Sequence, residues 1–176
     1  MNPTRFTPLS RLLHWTMAAC VLAMLFIGVS MVASLADYHK LVAIHRPLGI
    51  AILVLAAVRL INRILNPAPP FPPTMGALER VAAKGSEFLM YALMFILPLV
   101  GWGMLSAASY PVVLIGGLRL PPILPHDLAL YAALRKAHTV LAYLFFGTFL
   151  AHLGAVLFHT FVIRDGLLRR MTGGRE

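Results

Sequence analysis

The chain has 176 residues, of which 60% are hydrophobic and only 12% charged, with a mean hydropathy of +0.83. Soluble domains average about 45–50% apolar and about 25% charged residues, so this composition excludes a water-facing globule and points to a chain solvated by lipid. Fifteen Lys and Arg against six Asp and Glu give a net charge of +9, but the basic residues are scattered between apolar runs and form no stripe, which argues against a nucleic-acid partner.

The first charge-free window covers residues 12–36, longer than the roughly 20 residues that cross about 30 Å of hydrocarbon. Ser34, Leu35 and Ala36 resemble a signal-peptidase site, but the run is longer than the usual h-region of about 7–15 residues, which favours a retained span. Its one cysteine, Cys20, is alone in the chain, so no intramolecular disulfide, cysteine zinc site, iron–sulfur cluster or covalent c-type haem can form. The second span, 41–65, has Arg46 near one end and Arg59 and Arg63 near the other, where long side chains reach the headgroups. The proline-rich stretch 66–73 cannot continue that helix and predicts an extended connector. A third window covers 88–118, with Lys84 and Glu87 at its start spaced for a surface ion pair. Residues 109–128 are apolar but broken by prolines and glycines, which predicts a loop lying on the membrane surface and capping the bundle. The fourth window covers 137–163.

The fold expected is an all-α membrane protein, a four-transmembrane-helix bundle forming one domain over 1–176, with helices at about 10–35, 41–65, 85–108 and 130–163. Four spans put both termini on one side. Ten basic residues fall on that side (Arg5, Arg11, Arg59, Arg63, Arg80, Lys84, Arg164, Arg169, Arg170, Arg175) and five on the other (Lys40, Arg46, Arg119, Arg135, Lys136). The positive-inside bias therefore predicts both termini in the cytoplasm of a multi-pass inner-membrane protein.

Four of seven histidines, His14, His45, His138 and His152, lie inside these spans, where an ionisable side chain is costly and needs a partner or a function. His138 and His152 are 14 residues apart, which on a helix means nearly one face, about 40° apart, and about 21 Å along the axis. Alternating helix directions then match His45 with His138 near the far face and His14 with His152 near the terminal face. Facing imidazoles on neighbouring helices are the axial arrangement of a six-coordinate haem inside a four-helix bundle. The competing reading makes each histidine a packing residue bonded to a carbonyl or serine on the next helix; two depth-matched pairs favour haem. A carboxylate-bridged di-iron centre lacks its Glu-x-x-His repeats, and no chain of acids and bases crosses the bundle.

The sequence resembles the bacterial cytochrome b561 family. The stretches that carry the likeness are Leu13-His14-Trp15, Ile44-His45 with GIAILVLAAVRLINRIL at 49–65 and NPAPP at 66–70, YALMFILPLVG at 91–101, Ala137-His138, and Ala151-His152 followed by His159. They span residues 5–170 in one register, and the histidine spacing is their specific part. The resemblance implies two non-covalent haem b groups on His14, His45, His138 and His152, the four that depth matching selects. It further implies a superoxide:ubiquinone oxidoreductase, since its most similar-looking members oxidise superoxide at the periplasmic face and reduce ubiquinone at the other. Wider relatives are quinone-linked cytochrome subunits serving a partner dehydrogenase or hydrogenase, and a haem-binding sensor without turnover is a third reading.

His159, seven residues beyond His152, is placed either to donate a hydrogen bond to a quinone or to rest at the interface. Trp15 suits either the inner haem or an aromatic belt. Arg59 and Arg63 are candidates for haem propionates, although snorkelling accounts for them as well. On the far side Arg46, Arg135 and Lys136 adjoin the outer histidines, with Lys40 and Arg119 nearby and only Asp37 and Asp127 opposing the five. They either anchor the bundle or attract an anion such as superoxide, or an acidic redox partner protein, to the outer haem. His39 and His126 form no ligand set. The helix at 85–108 has no histidine and reads as wall.

Overall fold

In the computed structural model, which describes residues 5–173, Thr7 opens the first helix. Its hydroxyl accepts from the Ser10 amide at 3.2 Å, and Pro8 gives up only an amide that has no partner in a first turn. That helix, α1, runs Pro8–Ala33. Residues 34–37 turn the chain into α2, Tyr38–Leu65, which keeps Pro47 inside it and ends at the proline connector. The connector has neither helix nor strand, as its prolines require.

Helix α3, Ala77–Ala107, begins eight residues before the expected 85. The Glu79 carboxylate accepts from the Gly76 amide at 2.8 Å and so starts the helix in a stretch holding Glu79, Arg80 and Lys84. A search for charge-free windows passes over those two amphipathic turns. Helix α4, Leu128–Phe158, starts with the Asp127 carboxylate accepting from the Leu130 amide at 2.9 Å, then continues as a π-helical turn, His159–Ile163. A short helix, α5, Leu167–Thr172, follows. Four helices are thus long and apolar enough to cross a membrane, and the helix satisfies every crossing amide internally.

The expected surface loop between α3 and α4 is pinned to the end of α3. It contains a two-residue hairpin, β1 (Val112–Val113) antiparallel to β2 (Arg119–Leu120), and β1 packs on α2. The Trp102 indole donates to the Pro121 carbonyl at 3.0 Å, the Ile123 amide to Ser106 Oγ at 3.1 Å, and His126 Nδ1 to the Ala107 carbonyl at 2.9 Å. Gly103 permits this contact, since a Cβ there would lie 2.8 Å from Leu124 Cδ1.

Helix α1 packs closely on α2, α3 on α4, and α2 less extensively on α3, whereas α4 has no extended contact with α1 or α2. One small core bridges the separation: Met17 and Val21 of α1, Ile52 and Ala56 of α2, Leu93, Met94 and Leu97 of α3, and Phe145 of α4. Phe145 stands midway in sequence between His138 and His152, so the core separates two levels of the bundle. Large apolar side chains such as Phe26, Val32, Leu60 and Tyr143 point outward, where lipid replaces water. The first and last described segments meet at one end of the bundle: the Phe6 amide donates to the Arg170 carbonyl at 3.4 Å, and Arg170 Nη1 donates to the Pro70 carbonyl of the connector at 2.7 Å. Arg175, counted among the basic residues of that end, lies outside the described residues.

Candidate functional site

At the far end, α2 and α4 bring His45 and His138 together edge-on, ring centroids 6.2 Å apart and planes at 64°. The Nδ1 atom of each ring is buried without a hydrogen-bond partner; the Leu97 carbonyl approaches His138 without hydrogen-bond geometry. The packing reading asks for a carbonyl or serine bonded to each ring; at the far pair only the Leu97 carbonyl comes near, beside His138. Helix α3 is more than wall here. Gly101 lies against the His138 ring, and a Cβ on it would stand 3.2 Å from Cε1 and 3.5 Å from Nδ1, so the helix makes room for the imidazole by omitting a side chain. Glycine within an apolar helix costs roughly 1 kcal/mol against alanine, and the space left for His138 accounts for it.

Arg46 is half-buried beside His45, with its Nε unpartnered, while Arg135 and Lys136 are exposed at the same end. None of the three has a carboxylate partner among the described residues. The two acids of this end are engaged elsewhere, Asp127 in capping α4 and Asp37 with Lys40 at 3.6 Å. His126 is held by the α3 terminus, and no group of three or more potential metal ligands occurs among the described residues.

At the terminal end, His14 of α1 and His152 of α4 lie within electrostatic reach of one another. Arg59 does not snorkel away; its Nη2 donates to His14 Nδ1 at 2.9 Å and its guanidinium lies 5.4 Å from the centre of the Tyr91 ring. Trp15 crosses His14 edge-on at 5.3 Å and donates its indole proton to the Met171 carbonyl of α5 at 3.1 Å. Glu87 does not pair with Lys84. It accepts from Arg63 Nε and Nη2 at 2.9 and 3.3 Å and so ties α3 to α2. Asn62 Nδ2 donates to Ser10 Oγ at 2.8 Å, joining α2 to α1, and Asn66 Nδ2 donates to Asn62 Oδ1 at 3.1 Å at the end of α2. These groups line a cavity of about 60 Å³ among Ser10, Arg59, Asn62, Arg63, Glu87 and Tyr91, into which the buried Tyr91 hydroxyl brings no partner. His159 sits where α4 ends, its Nδ1 2.6 Å from Asp165 Oδ2.

Sequence reasoning places the four intramembrane histidines at two levels, and the structure arranges them so. It passes over Gly101, Tyr91, Asn62 and Asp165. A tyrosine and an asparagine inside an apolar span carried a usable signal, since each needs a polar neighbour. Asp165 carried none, because its role depends on a turn that no periodicity announces.

The layout thus brings an imidazole of α2 and one of α4 together at the far end, and places His14 of α1 within electrostatic reach of His152 of α4 at the terminal end. The family model described as prokaryotic cytochrome b561 matches residues 5–174. Among curated proteins, "Cytochrome b561 homolog 2" of Escherichia coli (strain K12) is 28% identical over 175 residues, covering 98% of this chain and 93% of the relative. "Probable superoxide oxidase CybB" of Yersinia pestis is 30% identical over 73% of this chain and 72% of its own length. "Cytochrome b562" of Cereibacter sphaeroides is 30% identical over 94% of each chain. With four helices long and apolar enough to span a membrane and a family match over residues 5–174, the protein belongs to the prokaryotic cytochrome b561 family of membrane-embedded, electron-transferring b-type cytochromes.

Proposed function

We propose that the chain is a di-haem superoxide:ubiquinone oxidoreductase of the bacterial inner membrane, its whole length acting as one domain. The family implies b-type haem, and the residues fit it. With metal–imidazole bonds of about 2 Å, an iron between two histidines sets the ring centroids about 6 Å apart; the His45 and His138 rings stand at 6.2 Å with unpaired nitrogens. His45 and His138 would hold the outer haem. His14 and His152 would hold the inner one, His14 through Nε2 because Arg59 occupies Nδ1. When bound, the haems supply a one-electron path between the two ends of the bundle.

The observation that carries the superoxide reading is the unpaired basic group of Arg46, Arg135 and Lys136 beside the outer histidines, against the charge bias of the topology. These residues draw a small anion toward the outer pair, and no general base is needed there, since superoxide leaves as dioxygen when it gives up its electron. Two superoxide ions reduce one quinone, which takes up two protons. The polar cavity among Ser10, Asn62, Glu87 and Tyr91 lets water and protons reach the inner level, and His159 stands at its own helix end to meet a quinone oxygen. The family resemblance and the name of the Yersinia pestis relative support the same reading.

The test is catalytic. The purified protein, given superoxide and a short-chain ubiquinone with no partner protein, is expected to form quinol with two superoxide ions consumed per quinone above the uncatalysed background. Reduction that appears only when a dehydrogenase is added would instead make the chain a relay subunit. For orientation, a carboxyl-terminal reporter is expected to register cytoplasm and one inserted near Pro122 periplasm, following the ten-to-five distribution of basic residues. An exported carboxyl terminus would exchange the roles of the two levels.

A further inference from the structure

Helix α4 ends in an unusual way. Its last α-helical turn widens into the π-helical turn His159–Ile163, with the Arg164 amide donating to the His159 carbonyl at 2.7 Å. Arg164 itself takes the left-handed conformation, φ 57°, a region costly for a residue with a side chain, and Gly166 follows at φ 75°. The two left-handed residues flank Asp165 and fold it back under the helix it has just left.

The carboxylate placed there is fully used. Oδ2 is 2.6 Å from His159 Nδ1, and Oδ1 accepts from the Leu167 amide at 3.1 Å, at the start of α5. The side chains are 13% exposed for His159 and 7% for Asp165, so the contact is shielded from water. The neighbouring guanidinium of Arg164 is turned away and donates to the Phe161 carbonyl at 3.1 Å. Among the described acids, Asp165 alone bonds a histidine; Glu79, Glu87, Asp37 and Asp127 serve helix ends or basic partners.

An imidazole whose Nδ1–H is given to a buried carboxylate has one tautomer and one ring orientation, and only Nε2 remains for other chemistry. The aspartate of a hydrolase triad orients its histidine in the same way. We propose that Asp165 is a positioning residue that makes His159 the proton donor to the quinone, a role that rests on the quinone site proposed above. In the step, His159 Nε2–H breaks and a quinone O–H forms as electrons derived from superoxide enter the ring. His159 is then reprotonated from cytoplasmic water, and the second proton of the quinol comes from the same source. The π-turn and the strained Arg164 exist to bring the carboxylate to Nδ1.

The experiment uses the full chain with both haems and a short-chain ubiquinone. Asp165→Asn is expected to lower kcat for quinone reduction on the order of 10- to 100-fold, at or below the low end of what proton-transfer assistance contributes, because His159 itself remains. KM for quinone stays within about twofold, and superoxide-driven haem reduction without quinone is unchanged. Asp165→Glu restores part of kcat by returning the charge. Arg170→Ala, which loosens α5 from the Pro70 carbonyl and leaves the dyad intact, retains wild-type kcat. Wild-type kcat in Asp165→Asn, or an equal loss in Arg170→Ala, would overturn the assignment and leave Asp165 as a cap for α5. Nitrogen NMR of histidine-labelled reduced protein tests the same point without a variant: His159 is expected to carry its proton on Nδ1, and a bare Nδ1 sinks the proposal. His159→Gln separates this proposal from its foundation. If that variant reduces quinone like the wild type, the quinone site itself is elsewhere; if it fails while Asp165→Asn does not, the site stands and the positioning role falls.

Discussion

Protein carrying His138→Ala is expected to be isolated with one b haem per chain instead of two, and His45→Ala with the same result. Each substitution removes one of the two imidazoles whose ring centres stand 6.2 Å apart, and no third potential metal ligand is grouped with them among the described residues. The inner site should keep its spectrum, because the core of Met17, Val21, Ile52, Leu93 and Phe145 separates the two levels. Gly101→Val extends the test to a residue that ligates nothing. Its side chain would enter the space of the His138 ring, where even a Cβ lies 3.2 Å from Cε1, so outer-haem content or the low-spin spectrum should fall while the helix itself is preserved. Pyridine haemochrome analysis gives the haem per chain, and optical and EPR spectra show which site remains. Full two-haem content in all four single histidine variants would sink the ligand assignment. Normal spectra in Gly101→Val would mean that the ring has room to move and that α3 does not shape the site.

What the sequence made legible divides along physical lines. Spans and histidine levels were readable because they depend on two regular quantities, the thickness of hydrocarbon and the pitch of a helix. His45 opposite His138 follows from counting residues down antiparallel helices. The start of α3 was not readable that way, since a carboxylate on its own helix terminus begins the helix in charged sequence. Glu87 was misread for a different reason: three residues from Lys84 it fits a local pair, but an interhelical guanidinium offers two hydrogen bonds in place of one. Arg59 fitted snorkelling by its position near a helix end, and only the packed bundle reveals an imidazole nitrogen within reach. The segment after His159 was the least legible. Its course depends on one residue in an unfavourable backbone region, held there by contacts of Trp15, Phe6 and Arg170 that join sequence positions far apart.

Neutralising Arg46, Arg135 and Lys136 together is expected to slow the reduction of the outer haem by superoxide on the order of tenfold or more, the lower end of what electrostatic steering supplies. The structure sharpens the reason. Arg135 and Lys136 are exposed one helical turn or less before His138, so their fields extend into water where an anion approaches. Arg46 adjoins His45 and is half-buried, so less of its charge is screened. None of the three is neutralised by a carboxylate among the described residues, whereas Lys40 is partly offset by Asp37 at 3.6 Å and should contribute less. Exposed charges act across a Debye length of about 8 Å at physiological salt, so the wild-type rate should fall as ionic strength rises. Charge reversal through Arg135→Glu with Lys136→Glu should lower the rate further and invert that dependence, because salt then screens a repulsion. Haem content must remain at the wild-type level in both variants for the comparison to hold, and stopped-flow reduction at low and high salt supplies the rates. A wild-type rate indifferent to salt, matched by the reversed variant, would reduce these residues to membrane anchors. The superoxide reading would then lose the observation that carries it, and a relay serving a partner dehydrogenase would become the better account of the same two haem levels.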